Sequence, residues 1–209
     1  MDSSRNNILK RLKSIDYKNS TLPHHDFKNE SKFFSSPDDC LDIIFAEAFN
    51  KNGGKFIFCE SLEEIFSTLK ILCKKHNWNN VYCWETQLQK VLKKYDFVFS
   101  STKKNLINAE VGITTCDALI ARTGSILLNS QSSSGRSLSI IPSIHIVIAS
   151  TNQLVYNLKD VLKLQTARES KFPSMLCFTS TNSQTADIEK TLVNGAHGPK
   201  ELYVFMLED

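Results

Sequence analysis

The chain alternates short apolar runs with amphipathic stretches, a pattern typical of strands separated by helices. Apolar runs from Lys55 to Cys59, Val81 to Trp84 and Phe97 to Ser100 predict three strands. Helical spacing between them predicts helices from Ser61 to about Lys75 and from Thr86 to Lys94. Because these strands are apolar on both faces, we expect a parallel sheet that is covered on both sides.

The segment before the first strand predicts a further helix and a tail. Ser36 and Pro37 have the character of an N-cap and a first helical residue, and Gly53-Gly54 marks the end of that helix. Ahead of Ser36, a helical pattern from Ile8 to Ile15 is followed by a polar stretch without a sustained period. We therefore predict an N-terminal helix and extended tail over residues 1–35 and one folded domain over residues 36–209.

The second half of the chain changes character and then resumes the earlier pattern. Closely spaced runs predict hairpin strands at Gly112–Thr115, Asp117–Ala121 and Ser125–Asn129, followed by a flexible polar loop over Ser130–Ser137. The elements predicted after the loop are strand Ile144–Ala149, helix Asn152–Leu164, strand Met175–Ser180, helix Thr185–Val193 and strand Leu202–Leu207. The predicted fold is an α/β domain with a three-layer, Rossmann-like sheet, helices on both faces and an antiparallel insertion.

Composition narrows the function classes. The chain has 209 residues and a net charge of +3, which is too small to indicate a nucleic-acid or membrane-surface partner. No apolar run approaches the roughly 20 residues that span a bilayer, and the first residues lack the order of a signal peptide, so we expect a cytoplasmic protein without a membrane span. None of the six cysteines forms a C-x-x-C pair, so we expect no metal or iron–sulfur cage.

Two segments in the middle of the chain carry candidate ligand-binding residues. Arg122, Gly124 and Ser125 combine a cation, a flexible backbone and a hydroxyl, although the same residues suit a simple hairpin turn. Arg136, after serines and a glycine, can close over an anion or belong to a solvated connector. His145 begins an apolar strand, where it either points into a cleft or serves as a structural histidine.

The C-terminal segment concentrates more chemistry. Ser183 or Thr185 can cap a helix whose free N–H groups would bind an anion. Asp187 either complements the dipole of that helix or pairs with His197, which lies beside Gly198 in an open turn. In the second case the carboxylate would orient the imidazole and raise its basicity, so Asp187 and His197 are the candidate catalytic pair.

Taken together, these segments resemble the LUD domain family, the family of lactate-utilisation protein C. The matching segments are Thr123-Gly124-Ser125, Gly135-Arg136, Pro142 to Ile146, Thr185 to Glu189 and Gly195 to Leu202. The resemblance implies a fold like that of the ribose-5-phosphate isomerase and coenzyme A transferase group. It also implies a subunit that works with iron–sulfur partner proteins in oxidising L-lactate to pyruvate, with the clusters on the partners and no cofactor on this chain.

The chain departs from the family pattern at three places. Arg122 stands where glutamate is common, Thr181-Asn182 replaces Gly-Pro, and Gln184 replaces an arginine. Two other function classes therefore stay open beside the lactate-oxidising subunit. One is a stand-alone isomerase- or transferase-like enzyme acting on a small anion, and the other is a small-anion-binding module without chemistry.

Overall fold

The computed structural model describes residues 2–14, 40–134, 136–162, 173–186, 192–195 and 197–209. Contacts divide the chain into two compact units, residues 1–36 and 37–209. The first unit contains helix α1 (Asp2–Lys13), which covers most of the helical pattern predicted from Ile8 to Ile15. The predicted tail over residues 16–35 lies outside the described residues. The helix predicted to start at Ser36 and Pro37 begins instead at Leu41, because Cys40 before it has an extended backbone and is its N-cap.

The second unit contains the remaining named elements. Its helices are α2 (Leu41–Lys51), α3 (Leu62–His76) and α4 (Thr86–Lys94), and residues 158–162 are also helical. Its strands are β1 (Lys55–Cys59), β2 (Val81–Cys83), β3 (Val111–Thr114), β4 (Ala118–Ile120), β5 (Ser125–Asn129), β6 (Ile144–Ser150), β7 (Leu154–Val155), β8 (Leu176–Thr179), β9 (Gln184–Ala186), β10 (Leu192–Asn194) and β11 (Glu201–Leu207).

A five-stranded parallel sheet forms the centre of this unit, in the order β1-β11-β6-β3-β2. Alternate residues of β6 face opposite sides, with Ile146 in one hydrophobic cluster and Val147 in another. Phe205 and Val204 of β11 divide in the same way. The predicted parallel sheet, covered on both sides, is therefore confirmed.

Helices α3 and α4 cover the first face of this sheet. Ser61 caps α3, because its Oγ accepts a hydrogen bond from the Glu64 N–H at 3.2 Å. The Glu64 carboxylate in turn accepts from the Glu60 N–H at 3.0 Å, one residue earlier than in the usual capping box. Fully buried Leu69 of α3 and Leu92 of α4 belong to the same cluster as the sheet residues on this face.

The second face is covered by helix α2 and by a second sheet, so a helix lies on each face of the central sheet, as predicted. The second sheet has the order β7-β4-β5-β8, with antiparallel pairing of β4 with β5 and of β5 with β8. Leu119 and Ile126 pack in one cluster with Phe45 and Phe49 of α2. The predicted antiparallel insertion is therefore confirmed, although β3 belongs to the central sheet instead.

Three predicted elements differ from the structure. Within Phe97–Ser100 only Ser100 pairs, through an isolated bridge to Tyr82, because residues 96 and 97 are engaged at the end of α4. The segment beginning at Asn152 forms a 3-10 turn and then β7, and the described helix starts only at residue 158.

The predicted helix Thr185–Val193 is also wrong at both of its ends. Thr185 and Val193 are partners in the antiparallel pair β9–β10, so each end of the predicted helix is extended strand instead. Residues 187–191 lie outside the described part of the chain.

Candidate functional site

The carboxyl ends of β2 and β3 bring together polar residues from distant parts of the chain. Glu85 follows β2, and Thr115 follows β3, so that both lie at the same edge of the parallel sheet. The serine loop, defined as residues 130–134 and 136–141, adds Ser132 and Ser134 to this edge. In open α/β sheets this is the edge at which ligands bind.

Glu85 is the centre of this polar group and is only 8% exposed. Its Oε2 accepts hydrogen bonds from the Thr115 N–H at 3.0 Å and from the Thr115 hydroxyl at 2.5 Å. Its Oε1 accepts from the hydroxyls of Ser132, at 3.2 Å, and Ser134. Because every partner donates to it, the arrangement suits an ionised carboxylate.

A small cavity of about 20 Å³ adjoins Glu85. Its walls are formed by Glu85, Thr114, Thr115, Cys116, Asp117, Leu128, Asn129, Ser132, Ser134 and Ser139. A volume of this size holds about one water molecule. The cavity is thus too small for an organic metabolite.

His145 lies behind this cavity, with 1% of its surface exposed. Its Nε2 shares a hydrogen bond of 2.9 Å with Oγ1 of Thr114, which lines the cavity. Among the described residues, no polar atom is a hydrogen-bond partner of its Nδ1. Burial lowers the pKa of His145 to about 4, so the ring is neutral at pH 7. The structure therefore does not place His145 on an open cleft.

A larger crevice, of about 240 Å³, lies between the serine loop and the turn formed by residues 197–199. We call it the His197 crevice, and its walls are formed by Ser139, Ile140, Cys177, Thr179, Thr181, Ser183, His197, Gly198 and Pro199. The walls combine hydroxyl groups and an exposed imidazole with apolar side chains. Such a mixture suits a small ligand that has a polar and an apolar end.

Ser183 fixes the shape of the C-terminal side of this crevice. Its N–H donates to the Pro199 carbonyl at 2.8 Å, and its hydroxyl donates to the carbonyl of His197. Gly198 has a φ of +92°, and a Cβ added there would lie 2.8 Å from the Ser183 Cβ. The turn therefore needs glycine at this position and holds His197 at the surface.

Three of the predicted site residues thus share one crevice: Ser183, His197 and Gly198. Asp187 lies outside the described residues, as does the side chain of Thr185 in β9. The predicted contact between Asp187 and His197 stays a prediction.

The segment around Gly124 has a packing role. Gly124 has a φ of +57°, and a Cβ there would lie 2.4 Å from the Phe49 nitrogen of α2. Its N–H donates to the Ala121 carbonyl at 3.2 Å and is therefore used within the turn. The exposed Arg122 donates from Nε to Asn157 Oδ1 at 2.8 Å and does not line either concavity.

Ser125 and Arg136 lie at opposite ends of β8. The buried Ser125 hydroxyl is 2.6 Å from the Ser180 Oγ, after β8, whereas Arg136 Nη2 donates to the Ser174 Oγ, before β8, at 2.6 Å. Neither Ser125 nor Arg136 lines the His197 crevice, and the buried His145 does not line it either.

Comparison with known proteins identifies the family. A family model of the LUD domain matches residues 44–207. The chain belongs to the LUD domain family. Lactate utilization protein C of Halalkalibacterium halodurans is 38% identical over 104 residues, which cover 48% of this chain and 45% of that relative. The chain thus matches this relative over less than half of the relative's length.

Two further comparisons extend over more of the LUD chain. Lactate utilization protein C of Macrococcus caseolyticus is 25% identical over 222 residues, covering 97% of this chain and 94% of the relative. A crystal structure of a DUF162 family protein from Deinococcus radiodurans has a TM-score of 0.58 at 21% identity, covering 80% of this chain and 96% of that one. This likeness confirms the α/β fold.

The Glu85 group of this LUD domain is not among the residues predicted from the sequence. The available signal was the position of Glu85, a polar residue directly after the apolar run from Val81 to Trp84. Thr179 and Thr181 were not predicted either, although they lie on both sides of Ser180, the last residue of a predicted strand.

Neither a metal-binding group nor a membrane-spanning helix is found in the described part of the chain. No three side chains of His, Cys, Asp or Glu are grouped there so as to hold a metal ion. Likewise, none of the described helices has the length and apolar character needed to cross a bilayer.

Proposed function

We propose that this chain takes part in lactate utilisation, as a LUD-domain subunit that acts with iron–sulfur partner proteins in the oxidation of L-lactate to pyruvate. The observation that carries the proposal is the alignment with the Macrococcus caseolyticus protein, which is named lactate utilization protein C and matches over 97% of this chain. The same name belongs to the Halalkalibacterium halodurans relative. Cluster-bearing partners would supply the electron transfer, and this chain would bind no cofactor itself.

We further propose that the His197 crevice binds a short carboxylate in this role. His197 and the hydroxyl of Thr179 offer hydrogen-bond donors to the oxygen atoms of such a ligand. Ile140 and Pro199 offer apolar contact to a short carbon chain. L-Lactate and pyruvate have this combination of a carboxylate and one methyl group.

Deletion of the gene in its native host tests the biological role. We expect the deletion strain to grow normally on pyruvate and to fail on L-lactate, because the step between the two compounds is lost. Plasmid-borne wild-type protein restores growth. Normal growth of the deletion strain on L-lactate would contradict the role.

Affinity purification from the same host tests the partner proteins. A tagged chain is expected to recover cysteine-rich subunits whose clusters are visible as iron and acid-labile sulfide. Recovery of the chain alone from lactate-grown cells, in repeated preparations, would count against a complex.

Thermal unfolding in the presence of L-lactate, pyruvate and inorganic phosphate tests the crevice. A ligand at 100 times its Kd stabilises the folded state by about 2.7 kcal/mol and so raises the melting temperature. The His197→Ala variant should lose this shift. The His76→Ala variant is the matched control, because the His76 ring stacks on Trp78 at 5.0 Å and does not line the crevice. Equal shifts in both variants would place the ligand elsewhere.

The stand-alone enzyme is the alternative function, and the exposure of His197 in a crevice is the observation that favours it. An exposed imidazole beside hydroxyls can transfer a proton to or from a bound anion. Turnover of a small anionic metabolite by the purified chain, lost on His197→Ala, would support this alternative.

A further inference from the structure

The serine loop separates the two concavities and contributes to both. Ser132 and Ser134 line the small cavity, and Ile140 lines the His197 crevice. Ser139 lines both. A displacement of this loop would therefore change the cavity and the crevice together.

Contacts hold the loop at both ends. At its start, the Asn129 side chain accepts hydrogen bonds from the N–H groups of Gln131, at 2.7 Å, and Ser132, at 3.0 Å. Near its end, Leu138 is fully buried, and its carbonyl oxygen would lie 2.4 Å from a Cβ added to Gly112 of β3. The loop therefore lies directly on the backbone of the central sheet.

Glu85 makes the hydrogen bonds that hold the stretch between these two contacts. Ser132 and Ser134 both donate to its Oε1, while its Oε2 is fixed by the N–H and hydroxyl of Thr115. Hydrogen bonds to a charged acceptor are about twice as strong as those between neutral groups. One carboxylate thus connects the loop to the carboxyl ends of β2 and β3.

We propose that Glu85 is a positioning residue for the His197 crevice. It holds the serine loop, through Ser132 and Ser134, so that Ser139 and Ile140 form a fixed wall of the crevice. Binding at a preformed wall avoids the free-energy cost of ordering the loop when a ligand arrives. The consequence for ligand binding rests on the function proposed above, whereas the position of the wall does not.

Substitution of Glu85 by glutamine tests the proposal with little change in shape. Because the Thr115 N–H can only donate, it keeps the glutamine carbonyl as its acceptor. The amide nitrogen then faces Ser132 and Ser134 as a neutral donor in place of the charged acceptor that Glu85 provides. We expect amide hydrogen exchange in residues 130–141 to become about tenfold faster, since losing a charged hydrogen bond shifts local opening by about that factor. We also expect the NMR methyl signal of Ile140 and the ring signals of His197 to shift.

Three further variants distinguish positioning from a general loss of stability. Ser134→Ala removes one loop donor and leaves Thr115 in place, so it should reproduce the shift of the Ile140 signal. Combining it with Glu85→Gln should add little, because both changes break the same hydrogen bond. Glu110→Gln is the matched control, since Glu110 accepts from the N–H groups of Asn79 and Asn80 and not from the serine loop.

The outcomes separate this proposal from the proposed function. Unchanged loop exchange and unchanged Ile140 and His197 signals in both Glu85→Gln and Ser134→Ala would overturn it. Equal changes in Glu110→Gln would overturn it as well, because they would show a global effect. If the loop and crevice signals change as expected while neither L-lactate nor pyruvate stabilises the wild-type chain, the positioning role holds and the proposed ligand is wrong.

Discussion

Two buried polar side chains, Glu85 and His145, differ in how completely their hydrogen-bonding groups are satisfied. Both oxygens of the Glu85 carboxylate accept hydrogen bonds from hydroxyl or amide donors. His145 has the single hydrogen bond to Thr114 among the described residues, and its Nδ1 has none. Protonation of the buried His145 ring is therefore expected to destabilise the folded state in acid.

Acid should destabilise the domain through His145. The unfolded chain protonates this ring near pH 6.5, whereas burial lowers the pKa in the folded state to about 4. Below pH 6.5 the unfolded state binds the extra proton, so stability is lost as the pH falls from 6.5 towards 4. Between pH 6.5 and 5 the expected loss is roughly 2 kcal/mol of unfolding free energy, measured by urea titration at each pH.

His145→Gln provides the comparison, because it removes this titration and leaves the other four histidines in place. The free energy of unfolding of the variant should fall less steeply over the same range. Parallel pH profiles for the variant and the wild-type chain would show that the folded domain protonates His145 as readily as the unfolded chain does.

At the scale of elements, the contact between α2 and the second sheet depends on one glycine. The 3-10 turn Ala121–Thr123 connects β4 to β5 and ends at Gly124, whose left-handed backbone lies against the α2 backbone at Phe49. The side chain of Asn52, the C-cap of α2, donates to the Thr123 carbonyl at 2.9 Å and strengthens the same contact.

Gly124→Ala should therefore destabilise the domain strongly. The new Cβ would lie 2.4 Å from the Phe49 nitrogen, so α2 or the turn has to move, and the left-handed conformation adds its own cost for alanine. The expected loss is about 2–4 kcal/mol of unfolding free energy in urea.

Gly53→Ala is the matched control. Gly53 also has a left-handed backbone, with a φ of +91°, but its added Cβ would have no neighbour closer than 3.7 Å. Gly53→Ala should lower the free energy of unfolding only by the cost of a left-handed backbone for alanine, about 1–2 kcal/mol. Equal losses for the two variants would mean that the close approach of Gly124 to α2 contributes nothing.

The sequence predicts these elements well where apolar periodicity is strong and poorly where polar residues dominate. The bounds of β1, α4 and β5 are as predicted, because each is a clean run ended by turn or polar residues. The segment from Thr185 to Val193 has an apolar spacing that fits a helix, yet pairing between β9 and β10 determines its ends. A local pattern does not reveal such a partner.

At the scale of the whole molecule, the site was predictable only where its residues are close in sequence. Ser183 and His197 are 14 positions apart, and the glycines on either side of His197, Gly195 and Gly198, both lie against Ser183. Glu85 and Ser134 are 49 positions apart, and their contact depends on how the insertion folds back over β2 and β3. No spacing rule along the chain connects them, because sheet order and not sequence distance brings them together.

The cysteines allow one prediction for the molecule as a whole, that it binds no iron–sulfur cluster of its own. Burial raises the pKa of Cys59 to about 11 and of Cys83 to about 12, and it also raises that of Cys116. Thiolates are the ligands of iron, so burial of these protonated side chains opposes cluster binding. We expect the purified chain to remain free of iron and sulfide after anaerobic reconstitution with ferrous iron and sulfide.

Thiol titration shows whether burial is the cause. In the native chain the exposed Cys40 should react quickly with a disulfide reagent, while Cys59, Cys83 and Cys116 should react only after unfolding in guanidinium. A stoichiometric cluster after reconstitution, or fast reaction of the buried cysteines in the native chain, would contradict the prediction. A cluster on this chain would transfer the electron-carrying role from the proposed partners to this subunit.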